Sequence, residues 1–186
     1  CSCWAISFRG PEPVNQQQIL HAFMALNDEL ARAGIKGEVG IVGGAAMLLG
    51  FNAREATRDV DDVFEPASAL RAAALRVAEA QGLPADWLND AAKGYMPADT
   101  QPRTLLLELP NLSVWTPPPQ YLLAMKAIAA RFDSQDAADL RTLVRHLGLQ
   151  HVEEVLEVVE RYYPRNQIPA RTQFFLEELF GAEQSG

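Results

Sequence analysis

Two short patterns in this chain carry residue types that do chemistry together. Gly43-Gly44 closes the apolar run Glu38–Val42, and Asp59-Val60-Asp61 follows a short way downstream. On an extended strand, residues two apart face the same side, so Asp59 and Asp61 point together while Val60 points away. Two like charges so placed repel unless a cation lies between them. A pair of carboxylates suits Mg²⁺ (or Mn²⁺), which completes its shell with water and substrate phosphates. The glycines complement such a site. With no Cβ they admit a phosphate to the backbone, and a helix N-terminus behind them offers unpaired N–H groups. Either pattern alone is common in turns and solvated loops. In the order strand, Gly-Gly, helix, Asp-x-Asp strand, they point to metal-assisted work on a phosphorylated ligand.

The elements that must position these residues are legible on both sides of them. Asn15 as an N-cap, followed by Ile19, Leu20, Phe23, Leu26 and Leu30 at helical spacing, predicts a helix that stops at Gly34. Glu38–Val42 reads as a buried strand, Ala45–Gly50 as a compact helix, and Arg58–Phe64 as a strand crowded with carboxylates. Pro66 opens an Ala-rich helix that ends at Gly82. Pro84–Asp90 reads as a loop or short turn and Lys93–Pro102 as loop. Thr104–Leu109 and Leu112–Trp115 flank Pro110-Asn111 as a strand pair. Beyond the stiff Thr116–Pro119, helices are expected over 120–132, 134–147, 151–163 and 171–180. The expected class is α+β, a small sheet core flanked by helices with a helical half behind it. Residues 1–13 read as a frayed leader, 14–116 as the core and 117–186 as the helical region.

Composition narrows the classes. Acidic residues number 24 against 16 basic ones, a formal net charge of −8, with no basic tail. That balance argues against wrapping long nucleic acid, which needs many phosphate-neutralising cations. No stretch approaches the roughly 20 apolar residues of a membrane helix. The two cysteines, Cys1 and Cys3, are too close for an ordinary disulfide and lack a second pair for zinc. The first residues also lack the charged and apolar regions of a signal peptide. A reducing, cytoplasmic setting is the expectation.

The segment VGIVGGAAMLLGFNAREATRDVDDVF resembles the nucleotidyltransferase superfamily, whose core is like the DNA polymerase β palm. The local form "GG…R.AT.DVD" looks like the bacterial subgroup near the AbiEii-type toxins and the minimal nucleotidyltransferases. The later LPADWLND looks like an uncharacterised subgroup of the same superfamily. The resemblance covers residues 38 to 150. It implies a small mixed β-sheet core and metal-dependent transfer of a nucleoside monophosphate from an NTP, with release of pyrophosphate. Gly43 and Gly44 would hold the triphosphate, and Asp59 and Asp61 would bind Mg²⁺, with two metals about 4 Å apart flanking the displacement. Acceptors in keeping with this are an RNA end, a protein hydroxyl or a small molecule. A cognate antitoxin or toxin is the implied protein partner, and no membrane is involved. The rival reading is a catalytically silent member acting as an antitoxin or protein-binding scaffold.

Several residues carry two readings. A third carboxylate is common in the superfamily, and Glu108 in TLLLEL is the candidate, or else a solvated strand residue. Asp62 falls on the opposite strand face from Asp61 and reads as a supporting acid. Lys126, the sole charge in YLLAMKAIAA, either snorkels to water or faces the triphosphate. It belongs to the AbiEii-like pattern "MK..A.R..D..D", matched by Met125, Lys126, Ala129, Arg131, Asp136 and Asp139. Arg54 and Arg58 either bind phosphates or pair with Glu55 and the aspartates. Asn89 and Asp90 either close over the site or form an ordinary turn. The spacing from Arg141 to His146 is that of a helical RNase family, but cations there also suit the end of a helix. Glu153, Glu154, Glu157 and Glu160 read as a solvated helix face.

Overall fold

The computed structural model describes residues 13–57, 60–89, 102–130 and 134–183. Apart from Pro13, the expected leader lies outside them, as does the expected loop apart from Pro102. The chain opens with β1 (Val14–Asn15) and α1 (Gln16–Ala33). Asn15 caps α1 as its residue type predicts. Its Oδ1 accepts from the Gln18 N–H at 2.9 Å, and Gln18 Oε1 accepts from the Asn15 N–H at 2.9 Å. Then come β2 (Gly37–Ile41), α2 (Gly43–Phe51), β3 (Ala56–Thr57), β4 (Val60–Glu65) and α3 (Ala67–Gln81). The strands β5 (Leu88–Asn89), β6 (Thr104–Leu109) and β7 (Leu112–Thr116) complete the sheet residues. After them the chain is helical: α4 (Pro119–Ala129), α5 (Ser134–Leu147), α6 (Val152–Tyr162) and α7 (Ala170–Glu183). The α+β class expected from the chain is the one observed.

Five strands form one mixed sheet in the order β5-β4-β2-β7-β6. β2 runs antiparallel to β4 and parallel to β7, β4 is parallel to β5, and β6 is antiparallel to β7. Val39, Ile41, Val60, Phe64, Leu112 and Val114 are buried on one side. α1 and α3 cover that side: a Cβ placed on Gly37, in the row of Val39, would stand 3.0 Å from Leu30 and 3.1 Å from Leu70. The other row is wetter, with Glu38 and Glu65 exposed and Ser113 and Trp115 half-buried. Buried residues of the C-terminal helices, among them Leu123, Leu140, Val155 and Leu176, join the same core cluster as the sheet.

Three short strands were not expected. β5 falls inside the stretch read as a loop or turn. Two residues are too few to show an alternation, and it forms only because β4 lies beside it. Trp87 anchors it, 2% exposed, with its indole N–H donating to the Ala74 carbonyl of α3 at 3.0 Å. The pair β1–β3, joining Val14 to Thr57 and Asn15 to Ala56, is equally short.

Candidate functional site

The Gly-Gly turn stands at the carboxyl end of β2. Gly43 adopts φ +62, a left-handed conformation that side chains rarely take, and it opens α2 directly. Gly44 is required for space: a Cβ there would lie 2.4 Å from Thr57 Oγ1 and 3.2 Å from Arg54 Nη1. The chain returns to this point because α2 ends at Asn52, itself left-handed at φ 49, after which residues 53–57 run back beside the helix. Gly44→Ala is therefore expected to destabilise the protein by about 1–3 kcal/mol through overpacking. Thr57 is 6% exposed and has little room to yield. Adding Thr57→Ala, which removes the closer obstacle, should restore most of the loss in chemical denaturation. A double variant no more stable than Gly44→Ala would show that the contact is not the cause.

The register of the sheet brings the acidic strand to the same end. Ile41 pairs with Asp62, so the start of β4 lies beside the glycine turn. Alternation along β4 puts position 61 in the row of Val63 and Glu65, and position 62 in the buried row of Val60 and Phe64. Asp59, Arg58 and Asp90 lie outside the described residues. Among the described residues there is no group of three His, Cys, Asp or Glu side chains that could hold a metal. Asp61 pairs with Asn89 of β5 in parallel register, so the two positions stand about 5 Å apart across one strand spacing. Asp59, Asp61 and Asn89 would be an all-oxygen donor set, which fits Mg²⁺ or Mn²⁺ and not a soft metal.

Glu108 is not brought to this end. It pairs with Ser113, which pairs with Glu38, which pairs with Glu65. Three strand spacings and four residues therefore separate it from position 61, about 14 Å across the sheet and about 13 Å along it. Its Oε2 accepts from Ser113 Oγ at 3.0 Å in an exposed setting. The solvated-strand reading is the one its position fits. The reason is topological: β7 inserts beside β2, which sends β6 to the edge furthest from β4 and β5.

Arg54 and Lys126 do come together, on an acid from the helical half. Arg54 Nε and Nη2 donate to Asp139 Oδ1 and Oδ2 at 2.9 Å and 2.5 Å. Lys126 Nζ stands 2.5 Å from Asp139 Oδ2 and 3.8 Å from Asp136 Oδ1. Side-chain exposure is 1% for Asp139, 16% for Arg54 and 14% for Lys126, so Lys126 does not snorkel to water. Neither Asp136 nor Asp139 was expected as its partner. An Asp beside Leu140 and Leu143 on the buried side of α5 is the signal that could have found it. His146 packs edge-on against Phe51 of α2 with ring centroids 5.0 Å apart, and Arg145 Nε donates to the Arg141 carbonyl. Both contacts belong to the end of a helix and none joins the glycine turn. Glu153, Glu157 and Glu160 are exposed, as a solvated face requires.

Among the described residues no helix is long and apolar enough to cross a membrane. The family model described as nucleotidyltransferase of unknown function (DUF6036) matches residues 18–174. No curated protein and no solved structure matches the chain significantly.

Proposed function

The chain belongs to the DUF6036 family of nucleotidyltransferases of unknown function, and from that premise we propose that it moves a nucleoside monophosphate from an NTP to an acceptor. An acceptor hydroxyl oxygen bonds to the α-phosphorus, the bond to the bridging oxygen breaks, and pyrophosphate leaves with that electron pair. The hydroxyl proton passes to solvent. The observation that supports this reading most is the convergence at one end of the sheet. The Gly43-Gly44 turn, the start of the Asp-x-Asp strand and the Arg54 guanidinium all stand there.

Each group has a task in this scheme. Backbone N–H groups at the first turn of α2 receive phosphate oxygens. Arg54 and Lys126 supply positive charge beside them, with Arg58 a further candidate. Asp59 and Asp61 would hold Mg²⁺ or Mn²⁺, which when bound neutralises phosphate charge and lowers the pKa of a bound hydroxyl. Asn89 takes the third position that Glu108 is too distant to fill. Asn89→Ala is expected to cost about 10–100-fold in activity, the range for residues supporting a metal site. Glu108→Ala should cost less than Asn89→Ala. The reverse order would return Glu108 to the site.

The acceptor falls among RNA ends, protein hydroxyls and small molecules, and the biological setting we favour is a toxin–antitoxin or defence pair. The experiment is incubation with each α-labelled NTP, Mg²⁺ and cell extract, comparing wild type with Asp59→Ala/Asp61→Ala. Labelled product from the wild type alone supports the enzyme. NTP binding without transfer supports the silent scaffold, a reading favoured by the distance of Glu108. Neither product nor binding in the wild type would remove the nucleotide from the proposal.

A further inference from the structure

We infer that Asp139 is a positioning residue for the phosphate site, fixing the Arg54 guanidinium against the Gly43-Gly44 turn and holding Lys126 beside it. The inference rests on the phosphate-binding reading of that turn and deepens it. Asp139 comes from α5, 85 residues along the chain from Arg54. Its two carboxylate oxygens take Nε and Nη2 of Arg54, an arrangement that sets the plane of the guanidinium as well as its distance. With that edge fixed, Nη1 lies at the turn, 3.2 Å from where a Gly44 Cβ would be. The same carboxylate holds the Lys126 ammonium at 2.5 Å, so one acid orders both cations.

Two rival roles for Asp139 are open to physical argument. In the first, it stands where a phosphate goes and is displaced by it. A carboxylate 1% exposed, with both oxygens bound to cations, is not at a position a solvent-borne anion reaches. Alternatively it only ties the helical half to the core. A simple tie has no need to choose an arginine whose Nη1 abuts the Gly-Gly turn, or to gather a second cation there. An ordered guanidinium at the turn, by contrast, spares a bound phosphate the entropy of arranging it.

The test measures binding of inorganic tripolyphosphate with Mg²⁺ by calorimetry, in wild type, Asp139→Asn, Arg54→Lys and the double variant. Each single change is expected to weaken binding about tenfold or more, the worth of one charge-assisted hydrogen bond. If Asp139 acts through the cations it holds, the double variant loses clearly less binding than the two single losses combined, because the share carried by Arg54 is counted once and only the share carried by Lys126 is added, a non-additivity that a purely structural role would not produce. Additive losses, or Asp139→Asn binding as tightly as wild type or tighter, overturn the inference. Should Asp139→Asn fail to fold, Arg54→Ala with added methylguanidinium takes its place. Binding restored in Arg54→Ala but not in Arg54→Ala/Asp139→Ala supports Asp139 as the anchor, and equal restoration in both overturns it. Wild type that binds neither tripolyphosphate nor any NTP overturns the phosphate-site reading together with the inference. Wild-type binding left unchanged in Asp139→Asn overturns the inference alone.

Discussion

Asp61→Asn is expected to lower nucleotidyl transfer by about a thousandfold while leaving the fold intact. The magnitude follows from what the carboxylate would do. Stabilising phosphoryl charge through a bound cation is worth several kcal/mol, and about 4 kcal/mol corresponds to about a thousandfold in rate. The amide keeps the shape and much of the hydrogen bonding of the acid but not its charge. The backbone of residue 61 pairs with Asn89 of β5, and its neighbour Asp62 pairs with Ile41 of β2, so the substitution leaves the ladder untouched. Pyrophosphate release and label transfer, measured at equal unfolding midpoints, check this. Partial recovery at raised Mg²⁺ or Mn²⁺ would point to weakened metal binding as the cause. Activity within tenfold of wild type would take Asp61 out of the site. The same change at Asp62 should cost far less, because alternation along β4 sets position 62 on the strand face opposite position 61.

The parts of the candidate site that are local in the chain are legible in the sequence, and those made by strand order are not. Gly43-Gly44 and the Asp-x-Asp strand are written as short patterns, and the structure has them neighbouring because β2 and β4 form an antiparallel pair joined through a single helix. Alternation alone separates positions 61 and 62, and the pairing of Ile41 with Asp62 agrees with it. Glu108 fails for a reason no window of residues carries. Its strand looks like a suitable third strand, but the parallel pairing of β7 with β2 places β6 at the opposite edge. The sequence around Asn89 suggests only a closing loop or turn because β5 has two residues and no period of its own. Its pairing with Asp61 exists only once Trp87 is buried beneath α3.

Lys126 shows the same limit from the other side. Its isolation in an apolar helix correctly marks a special position, yet the partner that decides its role lies on the next helix. Helical periodicity identifies the buried face of α5 through Leu140, Leu143 and Val144. Asp139 falls on that face, where a lone carboxylate requires a cation. The two oddities, one half-buried lysine and one buried aspartate, explain each other.

Asp139→Ala is expected to destabilise the protein by about 3–5 kcal/mol, the usual cost of removing one partner from a buried ion group. For a chain of this size that lowers the unfolding midpoint by roughly 6–20 °C. The loss comes less from the missing bonds than from what remains. Arg54 and Lys126, at 16% and 14% side-chain exposure, would stay largely out of water with their main carboxylate gone. Asp136, 3.8 Å from Lys126, compensates only in part. A triple variant makes the physical cause testable. Replacing Asp139 by Ala together with Arg54→Met and Lys126→Met removes all three charges, and buried ion groups exchanged for apolar side chains are often neutral in stability. The triple variant should therefore unfold within about 1 kcal/mol of wild type and yet bind no tripolyphosphate. Stability would then be regained without the site, which separates the cost of the charges from their purpose. If Asp139→Ala instead costs under about 1 kcal/mol, the range of an exposed pair, the three groups are not buried together in solution.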